Sequence, residues 1–257
     1  MKKTFVTILS SDSYLVGVLV LFASLQKQSV KYPLLVLISR NVSNDSLFQL
    51  KKNGINFKNI PEIQNPHIKD SNHIFNSAFD KLNIFNLIEF DKIVYIDADI
   101  LVVDNIDELF ESPSISAVNS GGGLPNTMHW TQLNAGMLVI KPNQKMYHDM
   151  ISKVSLLPSK DGSDQGFLQS YFPDWENEII LHLDQGYNMF SGFLNQFHHL
   201  FFYDFAAKTP RKVIKMIHFW GDNKPWIRGR EAIIHLYGLE AFANTLWWKT
   251  YDQIFPF

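Results

Sequence analysis

The sequence predicts an α/β protein with a mostly parallel sheet, doubly wound, with helices on both faces. Strand-like and helix-like segments alternate through the first half of the chain. The strand-like segments are continuously apolar, as in Leu34-Leu-Val-Leu-Ile38, which is typical of strands buried on both faces. Connections between parallel strands are right-handed, which favours the doubly wound arrangement. The 257 residues, 46% of them hydrophobic, suffice for one core and predict a single domain.

The first half of the chain predicts seven elements. In chain order these are strand 4–9, helix 14–28, strand 34–38, helix 43–52, strand 55–60, helix 79–88 and strand 92–96. Asp12 or Ser11 is suited to cap the first helix, and Ser43 or Asn44 the second. Asn53-Gly54 is expected to end the second helix.

The second half is less regular. Gly121-Gly122-Gly123 predicts a loop over 120–131. The remaining predicted elements are strand 136–140, helix 144–154, helix 162–171, strand 212–218 and helix 230–248. The sequence shows no internal repeat and no obvious linker, so one domain is the simplest interpretation, although an α/β enzyme of this length can carry a small appendage.

The composition disfavours several kinds of partner. The net charge is −2, without the basic excess that nucleic acid or an anionic membrane attracts. The chain has no cysteine, which excludes disulfides and thiolate metal sites and fits a reducing compartment. Lys2 and Lys3 precede an apolar stretch, but the polar residues 10–13 interrupt it. The later run 14–25, about 12 residues, is too short for a bilayer. We therefore expect a cytoplasmic protein without a membrane span.

Familiar nucleotide and hydrolase motifs are absent from the sequence. It contains no G-x-x-x-x-G-K-[ST], no G-x-G-x-x-G after the first strand, no H-E-x-x-H and no G-x-S-x-G. These absences disfavour four classes of enzyme: P-loop kinases, typical NAD enzymes, zincins and α/β-hydrolases.

The strongest local signal is Asp97-Ala98-Asp99, at the end of an apolar strand. Residues i and i+2 of an extended chain point to the same side, so the two carboxylates repel unless a cation lies between them. A divalent ion takes oxygen ligands and keeps positions for substrate phosphates. The tripeptide alone is equally compatible with two aspartates that cap a turn.

Further motifs follow in a fixed order: Asn134-Ala135-Gly136, Asp161-Gly-Ser-Asp-Gln-Gly166, Tyr187-Asn188 and His218-Phe-Trp-Gly-Asp-Asn-Lys-Pro-Trp226. With the two aspartates, this ordered set resembles glycosyltransferase family 8, which contains glycogenin, galactinol synthase and the plant xylan glucuronosyltransferases. The resemblance runs over nearly the whole chain. It implies a GT-A type domain with a Rossmann-like sheet, a UDP-sugar donor, Mn²⁺ with Mg²⁺ as the alternative, and retention of anomeric configuration.

The resemblance also assigns residues to roles. Asp97, Asp99 and His218 would bind the metal, and Gly221 and Lys224 the diphosphate. Lys81 would reach the donor, while Asp164 and Gln165 would act near the anomeric carbon. The donor-binding set, in chain order, is Ile8, Ser10, Ser11, Tyr14, Asp97, Ala98, Asp99, Asn134, Ala135, Gly136, Asp161, His218, Gly221 and Lys224. Residues 1–104 would form the nucleotide-binding part and 105–257 the acceptor part.

Some of these residues have structural alternatives. Asp161 suits a helix N-cap, and Asp164 suits the first turn of a helix. Tyr14 suits helix packing, and His218 suits a core position.

The sequence also departs from the family pattern. Asn72 replaces an arginine that members usually carry, so a contact with the donor phosphates is either missing or supplied by Lys69. The self-glucosylated tyrosine of glycogenin corresponds to Asn195, which leaves Tyr203 as a weak candidate.

The expected function is that of a retaining hexosyltransferase, with glucose as the favoured sugar and a carbohydrate or other hydroxyl group as acceptor. The family resemblance also implies a homodimer. Glucuronic acid or galactose as donor sugar remains an alternative, as does a nucleotide-sugar-binding protein of weak activity. A metal-dependent phosphohydrolase lacks the further carboxylates that a two-metal site needs.

Overall fold

The computed structural model describes residues 1–68, 77–205 and 212–256, and these residues form two compact units. The first unit contains residues 1–12, 32–96 and 108–183, and the second contains 13–31, 97–107 and 184–257. The predicted division into parts 1–104 and 105–257 of a single domain stays a prediction. Among the described residues, no helix has the length and apolar character needed to cross a membrane.

A five-stranded sheet forms the centre of the first unit. Its strands are β1 (Lys3–Leu9), β2 (Leu34–Ile38), β3 (Asn56–Asn59), β4 (Lys92–Ile96) and β7 (Met137–Ile140), in the order β3-β2-β1-β4-β7. The first four are parallel, and β7 is antiparallel to β4. Short β6 (Ala117–Val118) and β8 (His182–Leu183) pair separately. The predicted α/β class with a mostly parallel sheet is confirmed.

Three α-helices belong to this unit: α2 (Asn44–Lys52), α3 (Gln144–Lys153) and α4 (Asp164–Tyr171). The Ser43 hydroxyl accepts from the Ser46 amide and caps α2 as predicted. The predicted helix 79–88 is a 3₁₀-helix instead, Ala78–Asn86. Here the Asn83 side chain donates to the Asp80 carbonyl, which competes with the α-helical hydrogen bond to that carbonyl. The core includes Val6, Leu37, Phe79, Tyr95 and Phe167.

The second unit is built on helices and a small mixed sheet. Its helices are α1 (Leu15–Lys27), α5 (Leu194–Phe201), α6 (Pro225–Arg228) and α7 (Gly238–Ile254). Its three-stranded sheet has the order β5 (Ile100–Val102), β12 (Met216–His218) and β9 (Met189–Phe190). Short β10 (Tyr203–Asp204) and β11 (Lys212–Val213) pair separately.

Three predictions for this unit need correction. The N-cap residue of α1 is Tyr14, whose side chain makes no capping hydrogen bond, and the Asp12 carboxylate accepts from Ser43 and Ser46 instead. The predicted strand 212–218 is divided into β11 and β12. The predicted helix 230–248 is a 3₁₀-helix, Arg230–His235, followed by α7, because Leu236 and Tyr237 between them are extended, with ψ of 160° and 164°.

Candidate functional site

The two aspartates lie on a turn between β4 and β5. The Ile100 amide donates to the Asp97 carbonyl at 3.2 Å, and the Phe219 amide donates to the Asp99 carbonyl at 2.9 Å. The second bond extends the antiparallel pairing of β5 with β12, in which His218 is opposite Ile100. The main chain thereby brings His218 to the aspartates. One ligand atom each of Asp97, Asp99 and His218 lies within 4.8 Å of the others.

The hydrogen bond of His218 to Asn188 selects its tautomer. His218 Nδ1 lies 2.9 Å from the amide oxygen of Asn188, so Nδ1 carries the proton and donates it. His218 Nε2 lies 3.2 Å from Asp99 Oδ1. Nε2 and this carboxylate oxygen therefore lie close enough to bind one shared cation. A metal-binding histidine usually donates from its other ring nitrogen to an oxygen, as His218 does here to Asn188.

Lys224 supplies the second positive partner of Asp99. Its ammonium lies 3.0 Å from Asp99 Oδ2 and donates to the Gly221 carbonyl at 2.9 Å. Burial would raise the pKa of Asp99, but His218 and Lys224 hold this pKa far below its usual range. Burial would likewise lower the pKa of Lys224, but the Asp99 carboxylate raises it overall. Both groups are therefore charged at neutral pH.

Tyr14 packs beside Lys224. The Lys224 ammonium is 5.6 Å from the centre of the Tyr14 ring, and the Trp226 ring lies edge-on to it at 6.0 Å. Burial raises the pKa of Tyr14, so its hydroxyl stays protonated. Tyr14 therefore has a packing role against Lys224 and Trp226. Its predicted contact with uracil stays a prediction.

Two glycines shape this region. Gly221 has φ +61° and space around the position of a β-carbon, which agrees with close approach of a ligand to its backbone. A β-carbon on Gly17 would lie 2.5 Å from the Ala98 carbonyl oxygen and 3.0 Å from the Trp226 ring. Gly17 thus lets α1 pack directly on the backbone of the aspartate turn.

The donor set fits a divalent cation. Two carboxylates and one neutral imidazole nitrogen form a mixed oxygen and nitrogen set, which suits Mn²⁺ better than Ca²⁺. Asp99 and His218 are almost completely buried, which favours a fixed geometry. This is the only group of three such ligands found among the described residues.

A second cluster of predicted residues lies in the first unit. Lys81 and Asp164, each 8% exposed, form an ion pair of 2.6 Å. The Lys81 ammonium also donates to the Ala135 carbonyl at 3.2 Å, and the Ala135 amide donates to the Gln165 side-chain oxygen at 3.0 Å. The Asn134 side chain accepts from the Gly136 amide at 2.9 Å. The structure therefore brings together the predicted residues of the loop before β7, of α4 and of the buried 3₁₀-helix.

Asp161 has a clear structural role. Its Oδ1 accepts from the amides of Ser163 and Gly166 and from the Ser159 hydroxyl. Ser163, which the sequence reasoning did not consider, is the N-cap of α4. Asp164 occupies the first turn, as the helix-dipole alternative proposed.

The remaining predicted residues are more scattered. Ile8 lies in β1, and Ser10 and Ser11 follow that strand. Lys69 and Asn72 lie outside the described residues. Tyr203 is only 3% exposed and donates to Asp184 at 2.8 Å, which leaves it no exposed hydroxyl for self-glucosylation. The Asn195 side chain bonds the backbone of Tyr237 and Leu239.

Comparison with known proteins establishes the family of this chain. Residues 5–229 match the family model described as "Glycosyl transferase family 8". The chain therefore belongs to glycosyltransferase family 8, and the predicted family is confirmed. Inositol phosphorylceramide glucuronosyltransferase 1 of Arabidopsis thaliana is 37% identical over 70% of this chain. Glycogenin-1 of Mus musculus is 32% identical over 87% of this chain and 65% of its own length.

The chain spans only part of the length of these relatives. The matched region amounts to 32% of the Arabidopsis protein. Among solved structures, the galactosyltransferase LgtC in complex with donor and acceptor sugar analogs superposes with a TM-score of 0.64. The superposition covers 97% of this chain and 96% of LgtC, with 15% sequence identity. At that identity the similarity establishes the fold, which is of the GT-A type.

Proposed function

We propose that this chain is a retaining glycosyltransferase that uses Mn²⁺ and moves a hexose, with glucose favoured, from UDP to a hydroxyl acceptor. The observation that carries the proposal is the cluster of Asp97, Asp99 and His218 with the Lys224 ammonium beside it. Such a cluster offers three ligand atoms to one cation, and Lys224 adds a fixed positive charge beside it. That is the combination needed to hold a diphosphate as it leaves a sugar.

Asp97, Asp99 and the Nε2 nitrogen of His218 would hold the metal ion, which when bound neutralises the charge that develops on the leaving diphosphate. Asn188 keeps the His218 proton on Nδ1 and so leaves Nε2 for the cation. Lys224 is charged and buried, so its ammonium needs little reorganisation to contact a phosphate oxygen. Gly221 leaves room for that oxygen at the backbone.

Transfer breaks the bond between the anomeric carbon and the diphosphate oxygen, which keeps the electron pair. The acceptor oxygen forms the new bond, and its proton passes to the departing phosphate oxygen. We favour attack from the face of the leaving group, because Lys81 holds the Asp164 carboxylate at 2.6 Å and weakens it as a nucleophile. Double displacement through Asp164 is the competing route.

The charge of the donor sugar has to match the basic side chains of its pocket. Glucuronate has a carboxylate, which is bound best by a basic side chain through charge-assisted hydrogen bonds. The basic side chain of the first-unit cluster is Lys81, whose ammonium is already bound by Asp164. A neutral hexose is therefore favoured. UDP-glucuronic acid, suggested by the name of the Arabidopsis relative, and UDP-galactose are the alternatives.

A donor screen tests this proposal. The protein is incubated with UDP-glucose, UDP-galactose, UDP-glucuronic acid, UDP-xylose and the corresponding N-acetylhexosamine donors, with Mn²⁺ or with EDTA, and released UDP is measured. We expect Mn²⁺-dependent release, fastest from UDP-glucose. Release from none of them, together with no binding of UDP, would refute the assignment.

A further inference from the structure

An exposed tryptophan lies two residues after the metal-ligand candidate His218. Trp220 is 58% exposed, although the preceding Phe219 is fully buried. The backbone of Trp220 is extended, with φ −67° and ψ 147°. Its segment is anchored on both sides, by the buried Phe219 and by the turn Gly221–Asn223. Trp220 is thus a fixed indole at the surface of the second unit.

The Phe190 ring supports Trp220. The two rings are stacked, with centres 5.7 Å apart and planes inclined by 27°. Phe190 also contacts the His218 ring edge-on at 5.3 Å, and it is opposite His218 in the pairing of β9 with β12. The three rings therefore form a continuous series from the metal ligand to the surface. One face of the Trp220 indole is covered by Phe190, and more than half of the side chain stays open to solvent.

We propose that Trp220 is the acceptor platform: its open face stacks on a six-membered polyhydroxylated ring, either a pyranose or the inositol of a lipid headgroup. Such rings have a face of C–H bonds, and the face of an aromatic ring is the negative end of its quadrupole. The contact also removes exposed indole surface from water. This inference rests on the proposed function, because it names the substrate class of the same site.

The position of Trp220 favours the acceptor over the donor. In the chain it stands between His218 and the Gly221 to Lys224 segment, both of which are assigned to the leaving diphosphate. In same-face attack the acceptor approaches on the side of the leaving group. Because Trp220 is linked to His218 through Phe190, a ring stacked on Trp220 would lie near the leaving diphosphate, where same-face attack needs the acceptor.

The test uses the variants Trp220→Ala and Trp220→Phe. Tyr237→Ala is the matched control, because Tyr237 is an exposed aromatic residue, 72% exposed, of the same unit. For each protein we would measure Mn²⁺-dependent UDP binding, hydrolysis of the UDP-sugar without acceptor, and transfer. The acceptors would be p-nitrophenyl glycosides, xylo-oligosaccharides and myo-inositol in solution, phosphatidylinositol in vesicles, and glycerol as an acceptor without a ring.

We expect Trp220→Ala to raise the acceptor KM for ring acceptors by about 10-fold, the scale of one aromatic contact. UDP binding and acceptor-free hydrolysis should stay unchanged. Trp220→Phe should recover most of the loss, and Tyr237→Ala should behave like the unmodified protein. Transfer to soluble glycosides identifies a pyranose, whereas transfer to myo-inositol and phosphatidylinositol identifies an inositol ring.

An active enzyme whose acceptor KM is the same in Trp220→Ala would overturn this inference and leave the proposed function intact. Equal losses with glycerol and with ring acceptors would also overturn it. So would weaker vesicle binding with unchanged use of soluble acceptors, which would indicate a membrane contact. If the unmodified protein neither binds UDP nor releases it, the proposed function fails, and the platform fails with it.

Discussion

The Lys224 ammonium and the Asp99 carboxylate form a buried ion pair of 3.0 Å at the carboxylate proposed to bind the metal. Lys224 is therefore a competitor of the cation as long as no nucleotide is bound. Once a diphosphate is present, the same charge attracts it. This double relationship gives Lys224 opposite effects on the two ligands.

Lys224→Met should tighten Mn²⁺ binding to the nucleotide-free protein by about tenfold, because a positive charge close to the cation is removed. The same substitution should weaken binding of UDP in the presence of Mn²⁺. Titration with Mn²⁺ followed by electron paramagnetic resonance and calorimetry with UDP measure the two effects. Lys215→Met, which removes a lysine paired with Asp104, is the control. Weaker binding of both ligands would contradict the competition.

Asn188→Ala should lower the affinity for Mn²⁺ by roughly 10- to 100-fold, the usual effect of losing the hydrogen-bond partner on the other ring nitrogen of a ligating histidine. Asn188 is 2% exposed, and its side-chain oxygen fixes the proton on His218 Nδ1. Asn188→Asp keeps an acceptor at that position and should retain most of the affinity. Equal losses in the alanine and aspartate variants would argue against a role in setting the tautomer.

Gly17→Ala tests the packing of α1 on the aspartate turn. Alanine is favoured over glycine inside a helix by about 1 kcal/mol. Its methyl group would, however, lie 2.5 Å from the Ala98 carbonyl, and overpacking of this kind costs about 1–3 kcal/mol. We expect a lower Tm together with weaker Mn²⁺ binding. At Gly192 a β-carbon meets only Asn223 at 3.4 Å, so Gly192→Ala should change neither quantity.

Asp164→Asn separates stability, nucleotide binding and transfer. It removes the counter-charge of buried Lys81, so the free energy of unfolding should fall by about 3 kcal/mol. Transfer should fall, because Lys81, which is predicted to reach the donor, loses the carboxylate that holds it, while Mn²⁺-dependent binding of UDP should be kept. Urea unfolding, calorimetry and a transfer assay give the three readouts. Mass spectrometry of quenched turnover in the unmodified protein should find no sugar on Asp164, and a covalent adduct there would refute same-face attack.

Local signals in the sequence identified much of this site. Asp97 and Asp99 follow a recognisable apolar strand, and His218 stands in an ordered motif with Gly221 and Lys224. The structure gathers Asp97, Asp99 and His218 as expected. Lys81, Asp164, Gln165 and Ala135, which the family resemblance assigned to the donor site one by one, also lie together.

Other features depend on contacts that no local pattern encodes. The bond from His218 to Asn188 arises because β9 and β12 pair across a long stretch of chain. The close approach of Gly17 to Ala98 depends on helix packing, since an isolated glycine in an apolar helix does not indicate which backbone it packs against. The antiparallel direction of β7 is similarly set by pairing with β4. Tyr187-Asn188 belongs to the ordered motif set, but an asparagine in a motif does not by itself indicate that it bonds His218.

The most direct test of the central claim is calorimetric binding of UDP with and without Mn²⁺ to the unmodified protein and to Asp97→Asn, Asp99→Asn and His218→Ala. Asp252→Asn, which alters an exposed ion pair with Arg230, is the control. We predict Mn²⁺-dependent binding in the unmodified and control proteins and its loss in the other three, each of which should stay folded by circular dichroism. Unchanged, metal-independent binding of UDP in the three folded variants would contradict the account.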